Sequence, residues 1–276
     1  MKPKGRLIII GGKEDKNGTD PEMQGDNKDF RPKEILELIV AQKDHRIEVI
    51  TSATSEPAST RDTYRKRFEE LGFTNFGFLD LNADEGDDPE FLDRVKNAKT
   101  IFFSGGDQCK ICEILKSTKI ADLIYNKYKD EEDFTVAGTS AGAMCLSSVM
   151  IDSAENGEAM LGNDIELVEG LGFLNCVIDT HFVHRGRFGR LAHAVIIHPE
   201  LLGLGLGEDT ALIIEEGHLA TCKGSGMAVV ISARALKRTN VKDVENGAPV
   251  FAENITVDIL IDGCKYDLSS EQLIIN

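Results

Sequence analysis

The chain has 276 residues, 41% hydrophobic and 28% charged, which is enough for one large domain or two small ones. Its net charge of −16 comes without a basic stripe, so the clustered cations that nucleic-acid binding requires are excluded. The opening apolar run Leu7-Ile8-Ile9-Ile10 is too short for a signal peptide, and no window approaches the roughly 18 apolar residues of a membrane span. A cytoplasmic protein with no membrane partner is therefore expected.

Short apolar runs then alternate with longer amphipathic ones. Residues 6–10 read as a first strand, followed by a polar segment, 14–29, whose Gly18, Pro21 and Gly25 predict a long mobile loop. Residues 31–43 read as a helix with Ile35, Leu36, Leu38 and Ile39 inward, and 46–51 as the next strand. A helix over 60–71 is stopped by Gly72. Strands over 75–79, 100–103 and 134–137 continue the series, with helices over 89–97 and 108–128 between them. That alternation implies an α/β protein with a mostly parallel sheet covered on both faces.

After about residue 204 the texture changes. Residues 210–215, 218–221, 227–231 and 255–261 are short β-rich pieces separated by Gly, Asn and Asp. They read as a C-terminal extension of strands and hairpins packed against the main sheet. No linker or internal repeat interrupts the chain, so residues 1–276 are expected to form one domain with a β-rich extension over about 204–276.

Of the six cysteines, only Cys109 and Cys112 have the C-x-x-C spacing of redox or metal sites. No second pair or histidine accompanies them, so buried or incidental thiols are expected and no metal site.

The sharpest signal is Gly138-Thr139-Ser140-Ala141-Gly142, a G-x-S-x-G run after an apolar strand and before the helix-compatible run 143–150. A nucleophile on so sharp a turn needs small neighbours, and the helix N-terminus behind it favours developing negative charge. Ser140 is thus the expected nucleophile. An earlier strand ends in Ser104-Gly105-Gly106-Asp107, where bare backbone can approach an oxyanion; the N–H groups of Gly106 and Ala141 are the expected oxyanion hole.

Six histidines compete for the role of base. His181 and His184 lie in Asp179-Thr180-His181-Phe182-Val183-His184-Arg185-Gly186-Arg187, and His181 falls just past a strand end, where active-site groups of open parallel sheets gather. Arg185, Arg187 and Arg190 nearby match carboxylates in geometry, or pair with the chain's own acids. For the acid that orients the base, Glu155 and Glu158 both lie between Ser140 and His181, giving an expected chain order of Ser, Glu, His.

These runs, with Ile10-Gly11-Gly12-Lys13-Glu14-Asp15 and Gly205-Leu206-Gly207-Glu208-Asp209-Thr210-Ala211, resemble the cyanophycinase family in motif and in order across nearly the whole chain. The resemblance implies a serine peptidase of family S51, related to dipeptidase E. The implied fold is a flavodoxin-like, class I glutamine-amidotransferase-like three-layer αβα sandwich. It implies cyanophycin as substrate (polyaspartate with arginine on each β-carboxyl), β-aspartyl-arginine dipeptides as product, and a homodimer needing no metal or organic cofactor. Carried over by residue, Ser140 is the nucleophile and His181 the base; the acid should follow the elbow closely, and spacing favours Glu158 over Glu155. Gln108, Asp179, Thr180, Arg185, Arg187 and Arg190 match substrate-binding positions. This chain departs from some relatives at Thr180, where they carry Gln, and at Lys13, where Ala is common. Two rival readings are a dipeptidase of the dipeptidase E type and a catalytically silent homologue that binds aspartyl-arginine material.

Overall fold

Four isoleucine and leucine side chains at the start of the chain set the centre of the molecule. The computed structural model describes residues 2–13, 34–82, 85–154 and 160–274; the expected loop 14–29 and the acid candidates Glu155 and Glu158 lie outside these. Leu7, Ile8, Ile9 and Ile10 on β1 (Arg6–Ile10) are all fully buried, as a strand covered on both faces must be. The first half of the chain then alternates: α1 (Glu34–Glu37), β2 (Ile47–Ile50), α2 (Pro57–Glu70), β3 (Phe76–Leu79), α3 (Pro89–Asn97) and β4 (Thr100–Phe103). Next come α4 (Gln108–Leu115), α5 (Lys119–Asp130) and β5 (Thr135–Thr139). Where one helix was expected over 108–128 there are two. Ser117 takes a positive φ of 65°, and the Thr118 side chain caps α5 by accepting from Ala121 N–H.

The second half is richer in strand than the sequence predicts. It comprises α6 (Ala141–Met144), β6 (Ser147–Ala154), β7 (Ile165–Glu169), β8 (Leu174–Asp179), α7 (Phe188–Ile197) and β9 (Leu202–Leu206). Then follow β10 (Thr210–Glu215), β11 (Leu219–Gly224), β12 (Ala228–Ser232), β13 (Arg238–Thr239), β14 (Ala252–Glu253), β15 (Thr256–Leu260), β16 (Lys265–Asp267) and β17 (Gln272–Ile274). The expected helix after the elbow is a single turn. Ser147 Oγ stands at its end within 2.7 Å of the Met144 carbonyl and 2.8 Å of the Val149 carbonyl, its one O–H shared between them, and the chain turns directly into β6.

The strands form two large sheets. One has nine strands in the order β17-β16-β11-β10-β1-β5-β4-β2-β3, with β1, β5, β4, β2 and β3 mutually parallel and the C-terminal strands antiparallel. The other has six, in the order β15-β12-β9-β8-β6-β7, parallel only across β6, β8 and β9. Alternation along β1 divides the core: Ile8 and Ile10 pack with Ile35 and Leu36 of α1 and Tyr64 and Phe68 of α2. Leu7 and Ile9 belong to the opposite cluster, which takes in Leu115, Ile124 and Leu191 from helices and Val177, Leu204 and Val230 from the six-stranded sheet. The α/β, mostly parallel core is as expected, but one covering layer holds a second sheet as well as helices. The β-rich region after 204 packs against the main sheet as expected: β10 and β11 continue the nine-stranded sheet while β12 and β15 continue the other. No helix among the described residues is long and apolar enough to cross a membrane.

Candidate active site

The end of β1 organises the site. Three successive carbonyls there accept from three separate segments: Ile10 from Ser140 N–H (3.0 Å), Gly11 from His181 N–H (2.8 Å) and Gly12 from Asp209 N–H (3.0 Å). Ser140 follows β5 in the nine-stranded sheet, His181 follows β8 in the six-stranded sheet, and Asp209 lies where the chain crosses from β9 to β10. The turn after β1 therefore docks elements of both sheets side by side.

Ser140 sits at φ 54°, ψ −122°, a conformation disfavoured for a residue with a side chain and characteristic of a nucleophile elbow. The flanking glycines are obligatory: a Cβ on Gly138 would lie 2.1 Å from the Gly142 carbonyl oxygen, and one on Gly142 2.2 Å from that of Phe103. Ser140 Oγ lies 3.0 Å from His181 Nε2. On the other side of the ring, His181 Nδ1 lies 2.8 Å from Glu208 Oε1, in a carboxylate whose side chain is 4% exposed. An ionised carboxylate only accepts, so Glu208 holds the proton on Nδ1 and leaves Nε2 to accept from Ser140. The expected acid, Glu158, lies outside the described residues, and among the described residues the carboxylate that Nδ1 faces is that of Glu208. The order along the chain is then Ser140, His181, Glu208.

Gly12, with φ 96°, lies flat against the imidazole: a Cβ there would fall 2.4 Å from His181 Cε1 and 2.5 Å from Nε2. The other oxygen of Glu208 faces Lys13 Nζ at 3.2 Å and His184 Nε2 at 3.6 Å. Burial alone would raise the Glu208 carboxyl, but hydrogen bonds from His181 and Lys13, with the charges of His184 and Lys13, hold it below the usual carboxylate range. Burial is also the main influence on His181; with Arg185 and Arg187 it outweighs Glu208 and puts the imidazole below its ordinary value. That direction favours the neutral imidazole, the form that can take a proton.

Behind the elbow, Ser140 is the N-cap of α6 and makes no side-chain cap, so the N–H groups of Ala141 and Gly142 have no partner within the helix. The turn Gly105-Gly106 passes in front: a Cβ on Gly105 would stand 4.0 Å from Ser140 Oγ. Gly106 follows at φ 148°, pressed against the Ala53 carbonyl. The Ala141 N–H thus adjoins the nucleophile and Gly105 passes close to it, one residue before the other expected donor, Gly106; one helical turn supplies local N–H groups rather than a macrodipole.

The six expected substrate contacts behave differently from one another. Gln108 Nε2 donates to the carbonyls of Ile151 (3.2 Å) and Asp152 (3.4 Å), tying the Gly-Gly turn to β6. Asp179 is fully buried and already engaged: Arg190 Nε donates to its Oδ2 at 2.6 Å, and Arg190 Nη2, Arg187 Nη1 (3.2 Å) and Thr180 N–H (2.9 Å) all reach Oδ1. Thr180 is buried beneath, its Oγ1 without a hydrogen-bond partner among the described residues. Arg185 alone of the three arginines is exposed, and it makes no ion pair among the described residues. Sequence reasoning assigned no contact to Glu208, Gly12 or His184, which the structure brings against His181 or against one another. The signal for Glu208 was an acid between glycines and a new strand, in a motif quoted only for its resemblance.

Known proteins resemble this chain. The sequence model of peptidase family S51 matches residues 18–222. A cyanophycinase from Geminocystis herdmanii is 31% identical over 271 residues, covering 96% of this chain and 94% of that one. A peptidase E from Nostoc is 26% identical over 181 residues, covering 61% of this chain and 67% of its own. The crystal structure of a peptidase from an acI-B1 Actinobacterium, 21% identical, shares the fold with a TM-score of 0.58 over 95% of this chain and 96% of that one. A serine held by histidine on a strained elbow is what such a family requires, and the chain belongs to peptidase family S51, as a serine-type peptidase.

Proposed function

We propose that the chain hydrolyses cyanophycin to β-aspartyl-arginine dipeptides, with Ser140, His181 and Glu208 as its catalytic triad. The observation that carries the chemistry is the unbroken hydrogen-bonded line from Ser140 Oγ through the imidazole to Glu208. The substrate rests on similarity to a cyanophycinase along nearly the whole length of both chains.

In this reading Ser140 Oγ attacks the carbonyl carbon of the α-peptide bond between backbone aspartates while His181 Nε2 takes its proton. The N–H groups of Gly106 and Ala141 meet the oxyanion. Collapse of the tetrahedral intermediate breaks the C–N bond, and the same Nε2 proton goes to the leaving amine. Water, deprotonated by His181, then frees the acyl group from Ser140. Glu208 stays ionised throughout and stabilises the imidazolium of each transition state. Arg185 is the cation free to meet a substrate carboxylate, and Gln108 holds the Gly-Gly turn against β6.

Incubation with insoluble cyanophycin, followed by mass analysis of the soluble fraction, tests the reading. The native chain should release β-aspartyl-arginine and Ser140→Ala should release none while remaining folded. No dipeptide from the native chain, or full activity in the variant, would overturn it. Turnover of small aspartyl dipeptides without action on the polymer would instead select the peptidase E reading, which the 61% coverage disfavours.

A further inference from the structure

Asp179, Arg187 and Arg190 sit where the resemblance places substrate contacts, yet their polar groups point at one another. The Asp179 carboxylate, fully buried, takes two bonds from the Arg190 guanidinium, one from Arg187 and one from the Thr180 N–H. The arginine side chains are only 17% and 13% exposed. Arg187 Nη1 also donates to the Thr180 carbonyl at 2.7 Å. That carbonyl belongs to the peptide whose N–H, at His181, donates to Gly11 at 2.8 Å. Both polar ends of the Thr180–His181 peptide plane are therefore fixed.

The fixation has a purpose. His181 has φ 50°, a left-handed conformation disfavoured for a residue with a side chain, which persists only when its surroundings enforce it. A relaxed peptide would swing the imidazole away from both Ser140 and Glu208. Helix α7 begins at Phe188 with Arg187 as its N-cap residue, and Arg190 lies in its first turn, so the brace links His181 to a buried helix.

We infer that Arg187 and Arg190 are positioning residues that act through Asp179 and the Thr180 carbonyl to hold His181 in its left-handed backbone, and are not ligands of the substrate. The brace leaves Arg185 as the substrate-facing cation of the three.

Labelling by a small alkyl fluorophosphonate separates the two roles, because the probe reacts at the serine and carries no carboxylate for an arginine to bind. The test therefore holds whatever peptide is the substrate. Arg190→Gln and Arg187→Gln should each slow labelling of Ser140 by about 100-fold, the loss that a misplacement near 1 Å produces. They should also shift or broaden the low-field proton resonance of His181 Nδ1–H. Arg238→Gln, a surface pair with Glu253, should change neither. Where the glutamine variant fails to fold, Arg190→Lys serves, since it keeps the charge but cannot span both oxygens of Asp179. In any folded variant at 187 or 190, a wild-type labelling rate with the native resonance overturns the inference, as does a raised KM for peptide with labelling unchanged.

Discussion

Replacing Glu208 by Gln removes one negative charge and little volume from beside His181. The amide can still accept from Nδ1–H, so the ring need not turn, and the loss falls on the imidazolium that forms as Ser140 gives up its proton. With Nδ1 and Oε1 2.8 Å apart, the charge centres are about 4 Å apart. At an effective dielectric of about 20 that separation is worth about 4 kcal/mol. At 1.36 kcal/mol per decade, kcat should fall about 1,000-fold. The contacts from Lys13 and His184 to the second oxygen take a share of the charge, which keeps the figure from rising further. Dipeptide release under saturating substrate reads kcat, and circular dichroism checks the fold. A Glu208→Gln variant with more than about a tenth of native kcat would refute the assignment. Glu158→Gln, the acid that spacing favoured, should stay within a few-fold of native; a 1,000-fold loss there would return the role to Glu158 and sink Glu208.

The remaining expectations follow from the same geometry. Because His181 is held below its ordinary value, the acid limb of kcat/KM against pH should lie below about 6.5. The sign follows from the base being active when neutral: a lowered value keeps it neutral to lower pH. Arg185→Gln removes a charge that lowers His181, so its limb should move toward neutral pH; movement to more acid pH would contradict this. Gly12→Ala places a methyl group 2.4 Å from the imidazole at a φ of 96°, so activity should fall at least about 100-fold, as for a misplacement near 1 Å, with a Tm loss from backbone strain. Near-native kinetics would show that the turn can yield. Burial, with a hydrogen bond to Asp152, pushes the Cys109 thiol up to about 12, and burial takes Cys112 up to about 11. At pH 8 iodoacetamide should therefore modify both slowly in the native chain and rapidly after denaturation; equal rates would revive a redox role for the pair.

What could be read in advance was what local chemistry determines. The run Leu7–Ile10 announced a doubly covered strand, and the glycines at 138 and 142 announced an elbow, because each follows from residues next to one another. His181 was legible from its place after Val177-Ile178. The run from Ala143 to Met150 was not, since its residues suit a helix as well as a strand and Ser147 decides between them through two carbonyl contacts. The arginines were legible as carboxylate binders but not as binders of Asp179. That pairing depends on α7 lying against the end of β8.

Glu208 was hidden for a topological reason. Read along the chain, it opens what looks like a β-rich appendage, distant from a serine at 140 and a histidine at 181. In space the stretch between β9 and β10 is where the chain leaves the six-stranded sheet for the nine-stranded one, and it must pass the end of β1, since β10 pairs with β1. The elbow reaches that end because β5 is the other neighbour of β1, and the histidine because β8 adjoins β9. Each member thus arrives through the pairing of its own strand, and three consecutive carbonyls, Ile10, Gly11 and Gly12, fix the final spacing. All three docked residues, Ser140, His181 and Asp209, carry positive φ angles, of 54°, 50° and 48°. Strain of that kind survives only where neighbours on several sides enforce it. The two glycines after β1 meet that requirement by allowing backbone from both sheets to close on one turn, which is why a side chain at Gly12, driven into the His181 ring, should disable the site.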